Sequence, residues 1–370
     1  MSIKNYSRTH PYLSRIRARS LLTGPSSTKK TYHVVLEIER GQFPFKVGDS
    51  IGVLAQNDPE EVETILKKLG CFGEETLFDP RENVTTLVRD FLLNKANISR
   101  VHAPFFRLLN GQDPLLLPEN KVKLSEFLHT HSLLDLLQNH KLYDLSSLTK
   151  LMPLLPRFYS IANSARVFPD EIHLTVAYVT YITSGQIRKG IGSYFLCSYA
   201  KENTTPIPIY LQPSNHFTLP DDPAASIILV GPGTGIAPYR AFLQERLALN
   251  ATGRNWLFFG ERNRASDFYY ESFLTQLVSQ GRLRLDLSFS RDTVDKTYVQ
   301  HKMYEEKKSL WAWLQEGAYF YVCGDAEEMA KDVDAMLHRI VREEGGMKEE
   351  DAHLYIKQLR KDRRYLTDVY

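Results

Sequence analysis

The chain has 370 residues, room for two or three domains and more than one small core requires. Its 46 Lys and Arg against 44 Asp and Glu leave a formal charge of +2, so no global field draws it to nucleic acid or anionic lipid. A 43% hydrophobic, 24% charged composition excludes long disorder and collagen-like repeats and fits a compact globular protein.

Cys71, Cys197 and Cys323 are odd in number and far apart, which draws neither a disulfide framework nor a metal-ligand spacing. No metal is expected, and a reducing cytoplasmic compartment fits. Membrane spans are not expected either, since apolar runs such as Ile227 to Val230 stop far short of the roughly 18 to 20 residues needed. The first 36 residues lack Asp and Glu but hold Lys4, Arg8, Arg15, Arg17 and Arg19, a composition that imitates a transit peptide. Alternation from Tyr12 to Leu22, ending at Gly24-Pro25, reads instead as a strand and a turn belonging to the fold.

Short β-rich runs follow at Tyr32 to Ile38, Phe45 to Asp49 and Ile51 to Leu54, punctuated by glycine as in a barrel. After Asn57-Asp58-Pro59 the period changes. Val62, Ile65, Leu66 and Leu69 fall at helical spacing, and Leu124 to Leu145 is Leu-rich with the same period, which predicts a mostly helical insert over 57–150. β character returns at Arg157 to Ile161 and Ile172 to Ile182, so the insert interrupts one antiparallel β-barrel domain made of 12–56 and 151–220. From 221 to 370 strands alternate with helices, at Ile227 to Val230, Trp256 to Phe259, Leu283 to Phe289 and Tyr319 to Cys323. That is the pattern of a doubly wound parallel α/β sheet.

Gly231 to Pro238 links an apolar strand to a helix, where free N–H groups and the helix dipole can hold a phosphate. The spacing is Gly-x-Gly-x-x-Pro, and a turn built only for tight packing would look the same. Beyond the strand ending at Phe289 come Ser290, Arg291, Lys296 and Tyr298. In a doubly wound fold this is where the adenosine ribose lies, and cations there favour NADP over NAD. Taken alone, with Asp292 and Asp295 interleaved, the same residues read as a solvated loop.

Gly48-Asp49-Ser50-Ile51-Gly52-Val53, Arg157-Phe158-Tyr159-Ser160, Gly231 to Pro238, Trp256 to Gly260, Ser290-Arg291 with Lys296 to Gln300, Tyr321 to Asp325 and Asp368-Val369-Tyr370 occur in that order. Together they resemble the FAD- and NADPH-binding, ferredoxin-NADP reductase-like region of the diflavin reductases, the family of the NADPH-sulfite reductase flavoprotein subunit. The resemblance runs over about 12–370 and implies FAD and NADPH as cofactors. It places Arg157 on the FAD pyrophosphate, Tyr159 on the isoalloxazine and Ser160 near the flavin N5. Thr175, Val176, Ala177 and Tyr181 fall beside the flavin, with Gly190, Ile191, Gly192 and Ser193 as backbone donors to its pyrophosphate. Gly233, Thr234, Ser290, Arg291, Lys296, Tyr298, Gln300 and Asp332 fall on NADP.

The resemblance also makes Cys323 the thiol beside the nicotinamide and groups it with Ser160 and Asp368 as the catalytic set. Tyr370 becomes the ring that covers the flavin until nicotinamide enters. Without it, Cys323 reads as a small buried hydrophobe and Asp368 as a surface charge. Diflavin reductases carry an FMN domain ahead of this region, for which this chain has no room. The expected activity is hydride transfer from NADPH to FAD, then single-electron transfer to a separate acceptor: a flavodoxin-like FMN protein, a sulfite reductase hemoprotein or a ferredoxin. A stand-alone flavodoxin or ferredoxin reductase and a non-catalytic FAD- and NADP-binding scaffold are the competing readings.

Overall fold

The computed structural model describes residues 6–109, 120–183 and 185–370. Six strands, β1 (Tyr12–Leu21), β2 (Thr31–Glu37), β3 (Ser50–Val53), β6 (Arg157–Ser160), β7 (Glu171–Ala177) and β10 (Ile207–Gln212), form one antiparallel sheet in the order β6-β3-β10-β1-β2-β7. Its ends approach just past β6, where the Ala162 N–H donates to the His173 carbonyl at 2.8 Å and curls the sheet toward a barrel. β1 shows how the basic N-terminal segment is used. Ser14 and Ile16 turn inward while Arg15 and Arg17 turn outward, and Arg17 pairs with Glu171 of β7 at 2.6 Å. Ile16, Leu36, Ile51, Val53, Leu174 and Ile209 are fully buried inside, each contributing roughly 1.5–3 kcal/mol.

Phe45 to Asp49 is not the strand its composition suggests. Gly48 has φ +95°, and a Cβ on it would stand 2.0 Å from the Phe217 carbonyl oxygen. The Asp49 carboxylate accepts the Lys46 and Ser214 N–H groups, each at 2.8 Å, so the segment becomes a turn that ties β3 to the chain after β10.

The insert builds its own core around Phe91, Phe105, Phe106, Leu133 and Leu148. Its first helix, Pro59–Leu69, starts where Asp58 accepts the Glu60 N–H and stops at Gly70 in the left-handed conformation, φ +71°. The Leu-rich stretch is broken rather than continuous, into helices Lys121–His129 and Leu133–Leu136 and a 3₁₀ turn Leu145–Lys150. Ser132 restarts it, exchanging capping hydrogen bonds with Asp135. A hairpin of β4 (Thr76–Asp79) and β5 (Val84–Leu87) also interrupts the expected helices. Residues 110–119 of the insert lie outside the described residues.

A second hairpin, β8 (Thr180–Thr183) and β9 (Gln186–Lys189), follows β7 after a break at Tyr178 and Val179. The C-terminal part is a parallel sheet of β11 (Ile227–Val230), β12 (Asn255–Glu261), β13 (Arg284–Phe289), β14 (Tyr319–Gly324) and β15 (Tyr365–Val369), in the order β13-β12-β11-β14-β15. Both faces are covered. Ile228, Trp256, Phe258 and Phe320 point to the helices after β13 and β14, while Leu229, Leu257, Phe259 and Tyr321 point to Ile236–Ala248 and Glu271–Ser279. Strand order reverses between β11 and β14, which makes their carboxyl ends the switch point where such sheets bind ligands.

Candidate active site

Everything at the switch point is built around three glycines. A Cβ on Gly231 would stand 2.4 Å from the Tyr239 ring, and one on Gly235 2.1 Å from the Cys323 carbonyl oxygen. Gly233 between them has φ +60°. Both readings of this turn therefore hold locally: close packing against β14 demands glycine, and the turn delivers the N-terminus of helix Ile236–Ala248 without a side-chain cap among the described residues.

β14 and β15 bring the next residues alongside. Cys323 pairs in register with Asp368, and Ser160, at the end of β6 in the barrel, meets them across the domain boundary. The Ser160 hydroxyl donates to Asp368 Oδ2 at 2.9 Å, and the Cys323 thiol points at the same oxygen from 3.9 Å. Burial and then the Asp368 charge push the Cys323 thiol well up, so it stands as a neutral thiol. Burial raises the Asp368 carboxyl, and the Ser160 and Cys323 donors partly offset that. Tyr370 extends the strand, giving its N–H to the Gly324 carbonyl at 3.1 Å and sharing a 2.8 Å hydrogen bond with the Thr234 hydroxyl. The residue as a whole is 63% exposed, and it lies between the end of β15 and the glycine turn.

On the barrel side, Arg157 and Tyr159 border Gly192: a Cβ there would stand 2.7 Å from both Arg157 Cγ and the Tyr159 hydroxyl. Arg157 donates to the Leu155 carbonyl at 2.9 Å. The N–H groups of Ile191, Gly192 and Ser193 open the helix beside it, where no intrahelical partner exists for them. Gly190, expected among these donors, gives its N–H to the Val179 carbonyl at 2.8 Å. The Ser193 hydroxyl accepts the Val179 N–H at 3.0 Å. Tyr181 lines a cleft of about 260 Å³ with Ile191, Tyr194, Arg188 and Lys189. The others divide: Val176 packs inside the barrel core, Ala177 ends β7, and the Thr175 hydroxyl shares a 2.7 Å hydrogen bond with Tyr270 of the C-terminal domain. A cation, an aromatic side chain, N–H groups with no intrahelical partner and a glycine that leaves no room for a side chain suit a flavin dinucleotide.

At the far end of the turn, Ser290, Arg291, Lys296 and Tyr298 follow β13, with Arg291, Lys296 and Tyr298 exposed. Tyr298 and His301 cap the helix Val299–Glu305, and Gln300 donates to Asp332 at 3.0 Å. Asp292 is turned away, accepting the Arg264 N–H at 3.1 Å. Two residues absent from the sequence reading, Arg262 and Thr28, complete the group. Arg262 and Arg291 both donate to the Thr28 hydroxyl, at 2.8 and 3.3 Å, and Thr28 belongs to the barrel's β1–β2 loop. Two guanidiniums on one neutral acceptor, with no ion pair to a carboxylate among the described residues, have the charge and geometry to grip a dianion together. A short basic-and-Gly pattern gave no signal for Arg262; only adjacency of the β12 and β13 ends reveals it.

Two family models match the chain: an FAD binding domain over residues 4–95 and 112–195, and an oxidoreductase NAD-binding domain over 229–335. The chain thus carries an FAD-binding domain followed by an oxidoreductase NAD-binding domain. The NADPH-sulfite reductase flavoprotein alpha-component of Bacillus subtilis is 38% identical over 99% of this chain and 62% of its own length. Those of Vibrio cholerae (38%, 99% and 60%) and Shewanella sp. strain ANA-3 (37%, 100% and 62%) are similar. The chain thus spans about 60% of the length of the curated relatives it matches. Among the described residues, no helix is long and apolar enough to cross a membrane.

Proposed function

We propose that this oxidoreductase takes hydride from NADPH onto bound FAD and passes electrons singly to an acceptor outside these 370 residues. The observation that carries it is the Ser160, Asp368 and Cys323 cluster, which joins the barrel to the switch point of the parallel sheet through one carboxylate oxygen. Bound FAD would supply the conversion between two-electron and one-electron chemistry.

The chain's own residues do the rest. Arg157 and the N–H groups of Ile191, Gly192 and Ser193 offset the charge of a diphosphate, and Tyr159 presents a ring face. Ser160 would offer its hydroxyl to bound flavin, with Asp368 fixing both that hydroxyl and the Cys323 thiol. Gly233 and Thr234 receive the nucleotide diphosphate, while Ser290, Arg291, Lys296 and Tyr298, joined by Arg262, take the 2′-phosphate. Gln300 and Asp332 steady the adjoining helices. Tyr370, held by Thr234 beside the glycine turn, would shield bound FAD and would have to move aside for nicotinamide.

The relatives' name supports sulfite reduction as the pathway, and the diflavin-reductase resemblance supports a flavodoxin-like FMN carrier, in a protein or a further domain, as the immediate acceptor. A reducing cytoplasmic setting suits the free thiols. The test supplies NADPH, the FAD-loaded chain and oxidised flavodoxin and follows flavodoxin reduction. Reduction by NADPH, with NADH at least about tenfold slower, is expected. A chain that holds FAD and both nucleotides yet reduces neither flavodoxin nor ferricyanide would be a scaffold.

A further inference from the structure

Glu261 ends β12 against the glycine turn. Its Oε1 lies 3.3 Å from the place a Cβ on Gly233 would take, and its side chain is 4% exposed. A carboxylate is a poor neighbour for this turn. The N–H groups and helix dipole there attract anions, while a fixed negative charge in a poorly hydrated place repels an arriving diphosphate with little screening.

The compensating cation comes from the other domain. Lys29, on the loop between β1 and β2 of the barrel, forms an ion pair with Glu261 Oε1. It is the one ion pair Glu261 makes among the described residues. The Tyr269 hydroxyl donates to the same oxygen at 3.2 Å, and the Arg262 N–H to Oε2 at 2.9 Å. Nothing about this loop is casual. The Gly24 N–H donates to the Ser266 carbonyl at 2.7 Å, the Ser27 hydroxyl to Asp267 at 2.5 Å, and Thr31 shares a 2.8 Å hydrogen bond with Tyr269. These bonds hold the loop on the C-terminal domain and fix where Lys29 can reach.

We propose that Lys29 of the flavin barrel is a positioning residue of the nicotinamide-nucleotide site: by neutralising Glu261 it lets the Gly233 turn accept a diphosphate. This rests on the NADPH reading above and deepens it, because the nucleotide site is then complete only when the two domains are docked. Glu261 Oε1 faces the glycine turn while the Arg262 and Arg291 guanidiniums reach out to Thr28, so the effect falls mainly on the diphosphate and far less on an isolated 2′-phosphate.

Calorimetric titration of the oxidised, FAD-loaded full chain with NADP+, NAD+, 5′-ADP and 2′-AMP separates these terms without any turnover. Lys29→Met should raise the dissociation constants of NADP+ and 5′-ADP by about tenfold or more while moving 2′-AMP less than about twofold. Lys29→Arg should bind like the unsubstituted chain. The double variant Lys29→Met with Glu261→Gln should return to within about threefold of it, a recovery that misfolding could not produce. Unchanged 5′-ADP binding in Lys29→Met, or a double variant as weak as the single one, would overturn the proposal. An unsubstituted chain that binds none of the four ligands would instead remove the NADPH reading, and this inference with it.

Discussion

Replacing Ser160 with Ala isolates the contact on which the site geometry turns. The hydroxyl donates to Asp368 at 2.9 Å, and the only other side-chain donor to that carboxylate among the described residues is the distant Cys323 thiol at 3.9 Å. A hydrogen bond to an ionised group contributes about 1.5–3 kcal/mol. If it is fully expressed in the hydride-transfer step, its loss slows that step roughly 10- to 150-fold. The sign of the pH effect follows as well. Burial already raises the Asp368 carboxyl and Ser160 opposes that rise, so removing Ser160 raises it further. Activity that needs the ionised carboxylate, lost as pH falls through its pKa, is therefore lost at higher pH in Ser160→Ala. Stopped-flow bleaching of the flavin by NADPH across pH reads both effects, with the NADPH dissociation constant taken from the concentration dependence. A weaker dissociation constant with an unchanged limiting rate would refute the assignment.

Replacing Arg291 and Lys296 with uncharged residues should raise KM for NADPH by about tenfold or more and leave NADH nearly unchanged, and Arg262→Ala should act in the same direction. Equal losses on both nucleotides in steady-state assays would remove these cations from the 2′-phosphate. Truncating Tyr370 to Ala should narrow the NADPH preference over NADH, because the ring bound to Thr234 no longer competes with nicotinamide; an unchanged preference counts against that role. Gly192→Ala should lower bound FAD, since its Cβ would crowd Arg157 and Tyr159, and absorbance of the purified variant measures that directly. Burial and the facing Arg240 hold His33 and His173 neutral, down to about 3 and about 4, with Glu171 opposing the shift at His173. The unfolded chain protonates first, so the stability present above about pH 6.5 is lost as pH falls, by up to about 1.4 kcal/mol per histidine per pH unit. Urea midpoints that stay flat between neutral and mildly acidic pH would contradict this.

The central strands of the parallel sheet were legible because each is a short apolar run closed by glycine or a charge, as Ile227 to Val230 is by Gly231. β15 was not, since Tyr365 to Val369 carries Thr367 and Asp368 and lies at the chain end, where composition alone reads as fraying. Its value as a strand comes from pairing with β14, a long-range fact. Phe45 to Asp49 misled in the other direction: aromatic and β-branched residues there serve a turn fixed by Gly48 and Asp49. The break in the Leu-rich insert was hidden because Leu133 and Leu136 keep the helical period through the Ser132 cap. At the site, Ser160, Cys323 and Asp368 became a group only through family resemblance, since 208 positions separate Ser160 from Asp368. Lys29, Thr28 and Arg262 were missed because their roles arise where a barrel loop crosses onto another domain.

Anaerobic titration of the purified, FAD-loaded chain with NADPH tests hydride transfer at the switch point directly, with the released flavin identified afterwards. Bleaching of the flavin absorbance by about one equivalent of NADPH is the expected result, one hydride carrying the two electrons that FAD accepts. Bound FAD that stays oxidised in excess NADPH would contradict it.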